Sequence, residues 1–245
     1  MDPYTVAIIK KLGIEEQVET AATKSPFIEG LANGTAPPGA FKRWLYEDRI
    51  YVQGCSLCLA KAINAITHEK GFPKEALDLF LGAYNVITPE LAHFEARCKE
   101  SNVEMPKLKP VPTSWEQALQ DNKPEEYYHL SAPDCKSYIQ FMTQELFEIP
   151  GTFGIDYFMA FYLNEVIYHR AWKFVRESKQ FQKNCPEEME FVKWWGQPSF
   201  GKFVENLARR IQDVPFTSAT VDIAKKICNF EYRFFSTAFE KPLLN

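Results

Sequence analysis

FKRWLYEDRIYVQGCSLCLAKAINAI, residues 41–66, is the stretch on which the fold turns. Trp44, Leu45, Asp48, Tyr51, Val52, Cys55, Leu59, Ala62 and Ile63 recur in steps of three and four. That spacing sets them on one face of a helix about seven turns long. The face is apolar except at Asp48. A carboxylate one turn before Tyr51, on the side that packs inward, must have a partner or a task, because an unpaired buried charge is costly.

On either side the chain is punctuated as helices are. Upstream, residues 4–23 carry a helical pattern interrupted at Gly13, and Ser25–Pro26 reads as an N-cap with a first-turn proline. The short helix so begun should stop near Asn33 and Gly34. Downstream, the long helix is expected to run to His68, where Gly71, Phe72 and Pro73 turn the chain back into a second helix over 74–100, kinked at Pro89. Residues 101–133 carry five prolines (106, 110, 112, 124 and 133) and only one short helical piece, at 114–120. Helical periodicity returns over 134–147 and 153–180, then from Pro186 to Trp195, from a Ser199 cap to Asp213, and from a Thr217 cap to Lys241. No segment alternates as a strand does and nothing repeats. The expected class is all-α, a single-domain helical bundle.

Composition narrows the chemistry. A net charge of −4 and a pI near 5.7 offer no basic field for nucleic acid. No apolar run is long enough to suggest a membrane span, and the opening MDPYTVAIIKKLGIEEQ lacks a signal peptide's apolar block. The expectation is a soluble cytoplasmic protein. Six scattered cysteines read as reduced thiols, and Cys55–Cys58, a CxxC in mid-helix with no second CxxC, reads as packing rather than zinc or redox chemistry. Aromatic residues make up 15% of the chain, more than a plain helical core requires, and aromatic walls suit flat ligands.

Three acids lie on apolar or aromatic helix faces: Asp48, Glu165 and Glu231. Glu165 has Phe161, Tyr162, His169 and Trp172 within helical reach, and Glu231 sits inside NFEYRFF. A carboxyl group in such company loses hydration, its pKa rises, and it can exchange protons near neutrality. Each could equally be a buried acid satisfied by a tyrosine, an arginine or a backbone amide. Glu90 and His93 form an ExxH of the kind found in di-iron bundles, so Asp48, Glu90, His93 and Glu165 stand as an alternative metal set, though without a second imidazole. No P-loop, dinucleotide fingerprint, G-x-S-x-G or HExxH is present, and no cofactor is called for.

Four segments, in order, resemble the TenA (thiaminase II-like) family: FIEGLANGTAPPGAFKRWLYEDRIYV (27–52), AFYLNEVIYHRAW (160–172), KWWGQPSFGKFVENL (193–207) and NFEYRFFSTAF (229–239). Together they span residues 21–239, with 101–133 looking like an addition. The resemblance implies a haem-oxygenase-like helical bundle without haem, assembled as a homodimer or homotetramer. It also implies a thiamin-salvage hydrolase that deaminates an aminopyrimidine or deformylates a formylaminopyrimidine. By the same resemblance Asp48 binds the pyrimidine's amidine edge, Tyr51, Tyr138, Phe161 and Tyr162 surround the ring, and Glu231 gives and takes protons. The family's nucleophilic cysteine corresponds to Met159, which cannot attack as a thiolate does. That departure is shared with the plant-type branch, which keeps a glutamate matching Glu165, and it points to water activated by Glu165 and Glu231. A di-iron oxidase and a ligand-binding protein without turnover remain the alternatives.

Overall fold

The computed structural model describes residues 1–70, 72–105, 107–184 and 189–240, and every regular element among them is helical. By their internal contacts the residues divide into two compact units, one made of 1–41 with 158 onward, the other of 42–157.

The first unit holds α1 (Pro3–Leu12), α2 (Glu15–Thr23), α3 (Pro26–Asn33), nearly all of α9 (Gly154–Glu177), α10 (Lys179–Asn184), α11 (Met189–Trp195), α12 (Pro198–Ile211) and α13 (Ser218–Glu240). Local chemistry sets the ends. The Asp2 carboxylate accepts from the Thr5 amide at 2.9 Å and the Ser25 hydroxyl from that of Ile28 at 3.4 Å, each just before a first-turn proline. Gly13 and Gly34 close their helices at φ 66° and 76°, a left-handed conformation that glycine adopts without penalty. Thr217 caps α13 through the Thr220 amide. Two expectations are corrected. The helix expected to run to residue 180 ends at Glu177, because the Ser178 hydroxyl donates to the Ala32 carbonyl and accepts from the Phe181 amide, which starts α10. The N-cap of α12 is Gln197 with Pro198 in the first turn, not Ser199. The expected start at Pro186 and the end beyond residue 240 lie outside the described residues.

Packing follows the apolar stripes. α13 lies on α2 and α3, and α1 on α12. The centre is an aromatic cluster around Trp172 of α9, which is fully buried and meets Phe27, Phe41, Tyr168, Phe191 and Phe235 at centroid distances of 6.2–6.5 Å, all edge-on. Such edge-to-face contacts suit the ring quadrupoles and fill volume that no aliphatic side chain spans.

The second unit holds almost all of α4 (Ala40–Thr67), then α5 (Lys74–Glu100), α6 (Trp115–Asp121), α7 (Pro133–Gln140), a π-helical turn over Phe141–Glu145, and α8 (Leu146–Glu148). α4 is the helix read from residues 41–66. By length and composition it could cross a membrane, contrary to the expectation above, but 72% of its apolar window is buried inside the protein, as in a core helix. α5 runs on through Pro89, which is exposed, so water can take the carbonyl left without a donor. The short helix expected at 114–120 is α6, capped by the Ser114 hydroxyl, and two 3-10 turns follow it at Pro124–Glu126 and Tyr128–Leu130.

Gly54 explains how closely α4 and α7 approach. A Cβ there would stand 2.8 Å from Ile139 Cγ2, so only glycine leaves room. Gly54→Ala should therefore destabilise the protein by about 1–3 kcal/mol despite its better helix propensity. Urea unfolding measures this, and a neutral or stabilising result would show that the two helices can part without cost.

Candidate functional site

The residues singled out from the sequence fall into two groups, one in each unit. In the second unit, Asp48 lies on α4 with 1% of its surface exposed. One turn later the Tyr51 ring stacks on Tyr138 of α7, centroids 4.6 Å apart and planes at 30°. The Asp48 charge is felt by the thiols of Cys98 on α5 and Cys135 on α7, so the carboxylate lies within electrostatic reach of both. Its sequence neighbours are engaged as well. Glu47 accepts from the Ala132 amide through both oxygens, at 3.1 and 3.0 Å, and Arg49 bridges Glu95 at 2.8 Å and Gln53 at 3.1 Å. Tyr51 and Tyr138 are thus in contact, with Asp48 one turn before Tyr51 on α4.

In the first unit, Glu231 of α13 is fully buried. Its Oε1 accepts a hydrogen bond from Asn164 Nδ2 of α9 at 2.5 Å. Sequence reasoning missed Asn164. The signal was available, since an amide beside Glu165 in AFYLNEVIYH interrupts an apolar helix as plainly as the glutamate does. The residue one turn before Glu231, Cys228, has its thiol pushed up to about 12, by burial first and by the Glu231 charge second. Glu165 is half-buried. Of the aromatic side chains expected around it, Tyr162 donates to the Thr5 hydroxyl at 2.9 Å, and Phe161 meets Phe203 of α12 edge-on at 6.4 Å. Met159 is fully buried.

His169 Nδ1 donates to the Trp195 carbonyl at 3.0 Å, and desolvation holds its pKa below the ordinary value. The ring lines a cleft of about 520 Å³ with Thr23, Arg170, Lys173 and Gly201. None of the site residues predicted from the sequence lines this cleft. As for metals, among the described residues no group of three or more His, Cys, Asp or Glu side chains is arranged to hold an ion. Glu90 and His93 are half-buried on α5, and desolvation lowers the His93 pKa.

The thiols also bear on mechanism. Among the described residues, Cys58, Cys98, Cys135 and Cys228 are in no disulfide. Burial pushes Cys58 and Cys98 up to about 12 and Cys135 well above its ordinary range. At pH 7.5 a thiol with a pKa of 12 is thiolate in roughly one molecule in thirty thousand, too few for nucleophilic work. Native-state treatment with iodoacetamide should leave Cys58, Cys98, Cys135 and Cys228 unmodified by mass spectrometry. Rapid labelling of any of the four without unfolding would contradict this account.

No family model matches the chain. The chain is 99% identical over 241 residues to the Schizosaccharomyces pombe protein "Uncharacterized protein C530.07c", covering 98% of this chain and all of that one. Among solved structures it is similar to a TenA homologue from Pyrococcus furiosus, with a TM-score of 0.70 and 20% identity over 96% of this chain and 100% of that one. It is likewise similar to a TenA homologue from P. horikoshii OT3 (TM-score 0.71, 17% identity, 95% and 98% covered). A third, a TenA family transcription regulator from Silicibacter sp. TM1040, gives a TM-score of 0.66 and 14% identity over 96% and 97%. The chain therefore belongs to the family of the fission-yeast protein and has the all-helical, haem-oxygenase-like fold of the TenA homologues.

Proposed function

We propose that the protein is a thiamin-salvage hydrolase acting on an aminopyrimidine or formylaminopyrimidine breakdown product of thiamin, without a cysteine nucleophile. The observation that carries this reading is the buried Asp48 carboxylate one turn from the stacked Tyr51–Tyr138 pair. A carboxylate withdrawn from water binds strongly to a partner that offers two parallel donors. The amidine edge of a 4-aminopyrimidine does so once its ring nitrogen carries a proton, with the exocyclic amine donating to one oxygen and the ring N–H to the other. A proton held on the ring also makes the amine-bearing carbon more electrophilic. The tyrosines supply flat apolar surface for the ring.

In the hydrolytic step a water oxygen bonds to that carbon as a general base takes one of its protons, a role that the family resemblance, and no distance between the two units, gives to Glu231. The carbon–nitrogen bond then breaks, Glu231 returns the proton to the departing amine, and ammonia leaves. The ring keeps the oxygen. In the deformylating version the same water attacks the formyl carbon, releasing formate and leaving the free amine. Glu231 suits this work because it is buried and oriented by Asn164, and Glu165 shares the proton traffic. Two points favour water over a thiolate: the family resemblance puts Met159 at the position of the nucleophilic cysteine, and burial keeps the Cys58, Cys98, Cys135 and Cys228 thiols protonated.

The test is to incubate the purified protein with 4-aminopyrimidines and their N-formyl derivatives while following ammonia and formate. Release should be catalytic and should survive the loss of each cysteine singly. If no member of either series turns over under conditions where the protein is folded, the hydrolase reading is wrong.

A further inference from the structure

The 101–133 segment looks like an addition in the sequence, but in the second unit, besides bonds from Tyr84 of α5 to the Pro112 and Ser114 carbonyls and from Gln144 to Glu125, it is attached at several points to the helix that carries Asp48 and Tyr51. Tyr46 of α4 donates through its hydroxyl to the Leu130 carbonyl at 3.0 Å. Glu47 receives the amide of Ala132, the N-cap residue of α7. Gln53 donates through Nε2 to the Lys109 carbonyl at 2.8 Å. Asn122, 8% exposed at the end of α6, reaches the middle of α4: its Nδ2 donates to the Gln53 carbonyl at 3.1 Å and to Ser56 Oγ at 2.6 Å. The Asn122 Oδ1 in turn accepts from the Tyr127 hydroxyl at 3.3 Å. These ties bracket Asp48 and Tyr51, with residues 46 and 47 on one side and 53 and 56 on the other.

We propose that this segment is a clasp that sets the geometry of the Asp48, Tyr51 and Tyr138 group, with Glu47 and Asn122 as its positioning residues. A loop kept only to link α5 to α7 would need holding at its ends. This one is also held between its ends by the buried side chains of Gln53 and Asn122, with the half-buried Tyr46 and Glu47 at its exit, and buried polar atoms keep their partners because losing them inside the protein is costly. Its exit matters most. The segment runs straight into α7, so the Glu47 carboxylate on the Ala132 amide fixes where α7 starts relative to α4, and Tyr138 lies in the second turn of α7. The Tyr51–Tyr138 stack therefore depends on a contact made six residues before Tyr138. The π-helical turn at Phe141–Glu145 follows directly, and Lys61 of α4 donates to the Thr143 carbonyl within it at 2.5 Å, so α7 is held to α4 at both ends.

The catalytic consequence rests on the hydrolase reading, whereas the geometric one does not. In the full chain, Asn122→Asp keeps size and the acceptor for Tyr127 but removes both donations, and Glu47→Gln weakens the hold on Ala132. Tyr127→Phe, which removes one hydrogen bond only, is the mild member of the series. Hydrogen exchange should speed up about tenfold in Asn122→Asp and Glu47→Gln at the amides of α7 and of residues 48–56. Amides of α13 should be unchanged, and the near-ultraviolet circular dichroism of the tyrosine stack should weaken. With a 4-aminopyrimidine as substrate, KM should rise about tenfold while kcat stays within about twofold, as expected when a binding group is misplaced rather than removed.

Exchange in α7 at the wild-type rate in folded Glu47→Gln and Asn122→Asp would overturn the clasp, as would exchange raised uniformly through the chain. Should Asn122→Asp not fold, Glu47→Gln and Tyr127→Phe decide by the same measurement. If the wild type turns over no pyrimidine, the hydrolase reading fails by itself and the exchange result still judges the clasp.

Discussion

Glu231→Gln is expected to lower turnover of an aminopyrimidine by about 10²- to 10⁴-fold, the range in which a positioned general acid–base group contributes. The substitution isolates the proton. Gln keeps the length and volume of Glu, and its Oε1 can still accept from Asn164 Nδ2, so the 2.5 Å contact between α13 and α9 has a substitute. What Gln cannot do is take a proton from water and return it to the leaving amine. KM should therefore stay within a few-fold and the unfolding midpoint should move little, while kcat falls. The loss should appear in kcat and kcat/KM alike, the pattern of an interaction made only in the transition state. A kcat within twofold of wild type would remove Glu231 from the reaction.

Trp172→Ala is expected to carry the largest structural effect, about 3–5 kcal/mol of lost stability. Trp172 is fully buried and meets five aromatic side chains brought to it by α3, α4, α9, α11 and α13. Truncation leaves an indole-sized void that rings locked edge-to-face cannot collapse to fill. Trp172→Phe keeps much of that volume and should lose markedly less. Equilibrium unfolding in urea gives both values, and a loss below about 1 kcal/mol for Trp172→Ala would mean that the cluster repacks freely.

What could be read from the sequence was local. Ser25–Pro26, Gly34 and Thr217 mark helix ends by hydrogen bonds made within three or four residues, and the stripe on residues 41–66 gives α4 by periodicity alone. The errors came where a distant partner decides. Ser178 ends α9 because its hydroxyl reaches Ala32, far away in sequence. The π-helical turn at Phe141–Glu145 adds a residue to the helix without any change in composition. Asn164 shows its importance only when α13 brings Glu231 to it. Of the site, Asp48 and Tyr51 were visible as neighbours on one face, and their partner Tyr138 came from the family resemblance. Phe161 and Tyr162 lie one turn before Glu165, and the helix turns these adjacent residues to different neighbours, Phe203 of α12 and Thr5 of α1.

The most direct test of the central claim, that Asp48 holds an aminopyrimidine through its amidine edge, is calorimetric titration of the wild type and of Asp48→Asn with a 4-aminopyrimidine. Asn keeps the shape but gives up the charge and one acceptor. The account predicts saturable one-to-one binding to the wild type and an affinity about a hundredfold weaker in the variant, the loss expected for hydrogen bonds to a charged group. Equal affinity in the two proteins, with the variant folded, would contradict it.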